Sequence, residues 1–142
     1  MPKFSIDKIV HAQRSSVFEI FSNFENYQKL FSQHFPSVRV RSIRNDMAVV
    51  EEHLILGDKE LVMMTKHVSQ PPYLHEVFVI GGDAKGSYIK EQFLDHSDGT
   101  KILIDVDLKL KAKMKISELF AKNNLRENYS KIIDDFVKIA ET

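Results

Sequence analysis

The 142 residues contain no cysteine and no tryptophan, only 5 glycines and 4 prolines, and no excess of either charge, with Lys+Arg and Asp+Glu at 20 each. Without cysteine there is neither a disulfide nor a thiolate metal site, which agrees with a reducing compartment. Without a basic excess the chain lacks the electrostatic footprint of a nucleic-acid binder, so no nucleic-acid partner is expected. So little glycine and proline leaves no stretch that reads as a linker, and the length suits one domain over residues 1–142. No apolar run approaches the ~20 residues that span a bilayer. The opening Met1-Pro2-Lys3-Phe4-Ser5-Ile6-Asp7-Lys8 lacks the apolar core of a secretion signal, so the expected location is cytoplasmic. The 6 histidines show neither His-x-His nor His-Glu-x-x-His spacing, and neither a metal nor a cofactor is expected.

What is present is a patterned 43% of apolar residues. Loose alternation predicts a strand over 4–10. It leads to Arg14-Ser15-Ser16, where a serine can cap a helix carrying Val17, Phe18, Ile20 and Phe21. Asn23 breaks that helix, and a second short one over 25–31 presents Tyr27, Leu30 and Phe31 until Phe35-Pro36 stops it. Strands are then predicted over 38–43, 48–56, 59–68, 73–80, 87–95 and 100–111, bounded by Asn45-Asp46, Gly57-Asp58, Pro71-Pro72, the Gly81 to Gly86 loop and Ser97-Asp98-Gly99. A last segment over 116–140 places Leu125, Tyr129, Ile132, Ile133, Phe136, Val137 and Ala140 on one stripe, with Arg126, Lys131, Asp134, Asp135 and Lys138 opposite. The mixed signs on that polar face favour a lid lying on the sheet over a membrane-surface helix, although transient membrane-surface contact stays open. The whole reads as α+β: a curved antiparallel sheet of seven strands, two short helices after strand one, and a long C-terminal helix closing the concave face over a cavity.

Hairpin arithmetic indicates what faces inward. In the last strand Ile102, Ile104, Val106, Leu108 and Leu110 share one face and Asp105, Asp107, Lys109 and Lys111 the other, so the first set looks into the core. A two-residue Asp98-Gly99 turn sets Phe93 opposite Ile104, Glu91 opposite Val106 and Ile89 opposite Leu108, which carries Glu91 inward. A Gly57-Asp58 turn puts Glu52, Leu54, Leu56, Leu61, Met63, Thr65 and His67 together on the favoured inward face, and leaves Glu51 and Lys66 as an ion pair in solvent. Over 73–80 the choice between Leu74, Phe78, Ile80 and His75, Val77, Val79 stays open.

Strand, paired short helices, six strands and one long helix is the order of the helix-grip fold. The chain resembles the START-like superfamily, in particular its polyketide cyclase/dehydrase and lipid-transport branch, which includes coenzyme-Q-binding proteins. The resemblance rests on Ser16-Val17-Phe18-Glu19-Ile20-Phe21, Asn23-Phe24-Glu25-Asn26-Tyr27, Phe35-Pro36-Ser37-Val38 and Asp98-Gly99-Thr100-Lys101-Ile102, and covers essentially the whole chain. Members often carry a tryptophan on the penultimate strand, where this chain has Gln92-Phe93. The resemblance implies a cavity between sheet and last helix that binds lipids, sterols, polyketides, isoprenoid quinones or plant hormones. A minority of members catalyse cyclisation or dehydration there.

The leading expectation is therefore a non-catalytic carrier or chaperone of a hydrophobic small molecule. Leu61, Met63, Ile89, Phe93, Ile104, Val106, Leu108, Tyr129, Ile133 and Phe136 form its wall, His67 lies on the same face, and Glu91 is the anchor, with access between the last helix and the Gly81 to Gly86 loop. An inward carboxylate between Ile89 and Phe93 can serve as acid, base or hydrogen-bond anchor, or can simply be paired with a basic side chain. The alternatives are a cyclase or dehydratase using Glu91 or His67 as acid/base, with Glu52 beside His67, and a module that binds a protein partner the sequence does not name.

Overall fold

Period-two alternation drives most of this chain into strands whose inner residues bury. A computed structural model describes residues 3–111 and 122–142. In it β1 (Lys3–Val10) leads into α1 (Arg14–Ser22), a 3-10 turn (Phe24–Asn26) and α2 (Tyr27–Leu30). Six strands follow: β2 (Ser37–Arg44), β3 (Met47–Leu56), β4 (Lys59–Gln70), β5 (Leu74–Gly82), β6 (Tyr88–His96) and β7 (Gly99–Asp107). The last helix, α3, is described over Lys122–Ala140. The sheet runs β1-β7-β6-β5-β4-β3-β2, with every neighbouring pair antiparallel. The expected seven-stranded sheet, paired short helices and terminal helix are all present.

Local details differ from the sequence reading. The first helix begins at Arg14 after Gln13, with no side-chain cap, so neither Ser15 nor Ser16 caps it. β7 ends at Asp107 because Lys3 and Tyr88, the residues opposite it, are the first of their own strands. The β6–β7 turn is Ser97-Asp98 rather than Asp98-Gly99, so Phe93 faces Ile102, Glu91 faces Ile104 and Ile89 faces Val106. That slip of two residues preserves which face each side chain takes. Glu51 pairs with Arg41 at 3.8 Å instead of Lys66, which stands opposite Val49 with its ammonium over the Phe78 ring. Residues 116–121 of the expected helix lie outside the described residues.

Two irregularities bend the sheet. Pairing slips in β2 between Val40 and Ser42, and between β4 and β5 around Met64 and Thr65, as β-bulges do where a sheet must curve. At the second, Gly82 has φ +92, and a Cβ there would sit 2.1 Å from the Val62 carbonyl oxygen, so only glycine fits.

The core lies between the sheet's inner face and the three helices. Phe31 and Phe136 stack with centroids 3.8 Å apart, and Phe21 lies 5.2 Å and Tyr27 5.5 Å from Phe136. Leu125, Ile132, Ile133 and Phe136 of α3 are buried, as the apolar stripe requires. The helix packs chiefly on β1 and α1 and more lightly on β3. It is clasped from both sides: Lys8 meets Asp134 at 2.9 Å on the β1 side, and His34 meets Asp135 at 2.6 Å on the side of the short helices.

Candidate functional site

Beneath α3, over β3 to β6, a cavity of about 40 Å³ remains. Its wall is mostly apolar, with Leu54, Val77, Val79, Ile89 and Ile132 among the lining residues, and no lysine or arginine lines it among the described residues. Two carboxyl groups and two imidazoles interrupt it: Glu52, His67, His75 and Glu91. All four are buried, the most exposed being Glu91 at 6%.

Each comes from a different, neighbouring strand, and alternation aims each inward. Glu52 belongs to β3, His67 to β4, His75 to β5 and Glu91 to β6, with His75 directly opposite Glu91. They form a continuous chain of hydrogen bonds. Glu52 Oε2 lies 3.0 Å from His67 Nε2, His67 Nδ1 lies 2.9 Å from His75 Nε2, and His75 Nδ1 lies 2.5 Å from Glu91 Oε1. The Thr65 hydroxyl adds a neutral donor 3.1 Å from Glu52 Oε2. The imidazoles stack at 5.1 Å with 20° between their planes, and Phe24 covers His67 at 4.8 Å.

Counting hydrogens constrains this array. Its three links need one hydrogen each, but two neutral imidazoles supply only two. With both carboxylates ionised and both rings neutral, one of the three links lacks its hydrogen and two lone pairs face each other there. One added proton, on an imidazole or on a terminal carboxyl, would complete all three links.

The neighbouring phenols stay protonated. Burial pushes the Tyr27 and Tyr129 hydroxyls well above the ordinary tyrosine range, and the negative charge of Glu91 and then Glu52 pushes further in the same direction. Tyr27 donates to the Phe21 carbonyl oxygen. On the clasp, the hydrogen bond from His34 holds the Asp135 carboxyl below its usual range despite partial burial. Among the described residues no group of three or more His, Cys, Asp or Glu is arranged to hold a metal ion.

Of the residues anticipated from sequence, Met63, His67, Ile89, Glu91, Tyr129, Ile133 and Phe136 line this cavity. Leu61, Phe93, Ile104, Val106 and Leu108 do not. They are buried elsewhere in the core, and Phe93 packs edge-on against Phe18 and Phe21 of α1 at 5.1 and 5.8 Å. Tyr27 and Phe35 reach the cavity from the helical hairpin and its following loop; the sequence marks them as helix stripe and helix stop, not as cavity wall. His75 carries the array across β5, the strand whose inward face the sequence leaves open.

No family model matches the chain, and no curated protein is significantly similar to it. Solved structures are similar in shape. A protein from Thermus thermophilus superposes with a TM-score of 0.84 at 13% identity, covering 98% of this chain and 97% of that one. A START superfamily protein from Mycobacterium smegmatis gives 0.82 at 14% identity, over 98% and 97%. The fold is the helix grip that these structures share. The Zhui aromatase/cyclase from Streptomyces shares this grip at a TM-score of 0.67 and 10% identity, covering 98% of this chain and 92% of that one. At these identities the helix grip shows where an interior site is built, while the chemistry rests on this chain's own residues.

Proposed function

We propose that this helix-grip protein binds a hydrophobic small molecule between β3–β6 and α3, with the molecule's polar end on the Glu52–His67–His75–Glu91 array. The observation that carries this reading is the array itself, a buried set of polar groups in an otherwise apolar cavity wall. Apolar walls give affinity at ~25 cal/mol per Å² buried, and a few fixed polar groups give orientation. Ligand pockets usually measure ~300–1,000 Å³, so an occupant larger than a few atoms has to displace the Phe31–Phe136 stack and lift α3. The light packing of α3 on β3, where the helix is held through Asp135 by His34 and Gln33, favours that side for the movement.

The test is native mass spectrometry of the protein purified from its own host, followed by organic extraction. A stoichiometric small molecule supports binding. A protein that carries none, and whose spectrum no hydrophobic candidate shifts, contradicts it.

The continuous chain of hydrogen bonds favours a second reading, an acid–base enzyme in which the array takes a proton at one end and returns it at the other. Turnover that Glu91→Gln abolishes without unfolding the protein supports this reading, and turnover that survives the change removes it.

A further inference from the structure

The array's charge and the cavity's composition together discriminate between ligand classes. Two carboxyl groups buried in an apolar enclosure are normally balanced by a lysine or arginine, because an uncompensated buried charge is costly. Among the described residues none lines this cavity. The array uses Glu52 Oε2 and Glu91 Oε1, so Glu52 Oε1 and Glu91 Oε2 accept no hydrogen bond from the described residues. The phenols cannot supply the missing charge: Tyr27 is neutral and already committed to a backbone carbonyl, and Tyr129 is neutral. The remaining wall includes the rings of Tyr27, Phe35 and Phe136, whose faces attract cations.

We propose that the occupant of this cavity is a cationic amphiphile, an apolar body ending in a protonated amine that donates to the unbonded oxygens of Glu52 and Glu91. This rests on the binding reading above and narrows it. An ammonium group brings the positive charge the wall lacks and several N–H donors for oxygens that have none. A neutral alcohol brings a donor without charge. A carboxylate places a third anion beside two acidic side chains and lacks any donor.

The experiment compares decylamine, decanol and decanoate at neutral pH, below their micelle concentrations, by calorimetry and by amide spectra of β4 and β5. The three share one apolar body, so the head group alone separates them. The amine is expected to bind at least about tenfold tighter than the alcohol, with decanoate weakest. In Glu52→Gln/Glu91→Gln that preference is expected to fall to about parity between amine and alcohol, because the amides close the array without charge. Decanol or decanoate binding as tightly as the amine overturns the inference and leaves the binding reading standing. Failure of all three to perturb the cavity overturns both. Should the double variant fail to fold, the wild-type series decides alone.

Discussion

Replacing Glu91 with glutamine and His75 with leucine should have opposite consequences, although the two residues are partners 2.5 Å apart. In the Glu91→Gln variant the new amide can turn its N–H toward His75 Nδ1, so that His75 Nε2 donates to His67 Nδ1 and His67 Nε2 donates to Glu52. All three links are then made by neutral rings and one carboxylate, and the added proton is no longer needed. The expected loss is below ~1 kcal/mol, the scale of exchanging one satisfied hydrogen bond for another. The His75→Leu change removes two links at once, leaving Glu91 buried beside no partner and His67 Nδ1 unpaired. Breaking a buried charged pair costs ~3–5 kcal/mol, equivalent to a fall of roughly 10–20 °C in Tm for a domain of this size. Glu91→Leu lies between, because it strands only His75 Nδ1, at ~1–3 kcal/mol. Urea unfolding of the three variants, fitted with a shared m-value, supplies the comparison. A Glu91→Gln variant as damaged as His75→Leu, or a harmless His75→Leu change, would refute the hydrogen count.

Further outcomes follow from the same geometry. Phe136→Ala should lose ~3–5 kcal/mol and enlarge the adjoining cavity toward the ~150 Å³ that admits benzene in an engineered protein interior; a benzene-dependent rise in Tm for the variant and none for the wild type is expected. Asp135→Asn should unclasp α3 at a cost of up to ~1 kcal/mol. Because the folded Asp135 carboxyl sits below its unfolded value, its contribution is present above the ordinary aspartate range and disappears as pH falls through the lowered value. Acid unfolding curves of wild type and variant should therefore converge at low pH. Burial and then its hydrogen bond to Glu76 push the Tyr88 hydroxyl up to about 12, so the part of stability it controls holds below pH ~10 and falls as pH rises toward the folded value. A Tyr88→Phe variant should lose stability less steeply across that alkaline range.

How much of this was legible in the sequence depended on the strand. Residues 102–110 alternate so strictly that one face has to be the core, and the Gly57-Asp58 turn leads to the observed β3–β4 register, Leu54 opposite Leu61 and Glu52 opposite Met63. Glu52 and His67 could be placed on one face from that turn alone. β5 resisted because both of its faces are apolar: Phe78 points outward yet is covered by the Lys66 ammonium and the Tyr88 ring. The β5–β6 connection through Gly81 to Gly86 also carries no two-residue turn to count from, so the opposition of His75 and Glu91 was unreadable. Ile104 and Val106 face inward as their alternation implies and are buried, but they lie outside the lining of the cavity. Cavity volume depends on how rings from α1, α2 and α3 meet, and no local pattern encodes the stacking of Phe31 on Phe136.

The central claim is that three hydrogens bridge Glu52, His67, His75 and Glu91, and long-range proton–nitrogen NMR on histidine-labelled protein tests it most directly. A hydrogen bonded between His67 Nδ1 and His75 Nε2 is expected, seen as a scalar coupling across that link, together with downfield bridging hydrogens at both carboxylate ends. Two neutral rings, each protonated only on the nitrogen facing its carboxylate and with no coupling between them, would contradict it.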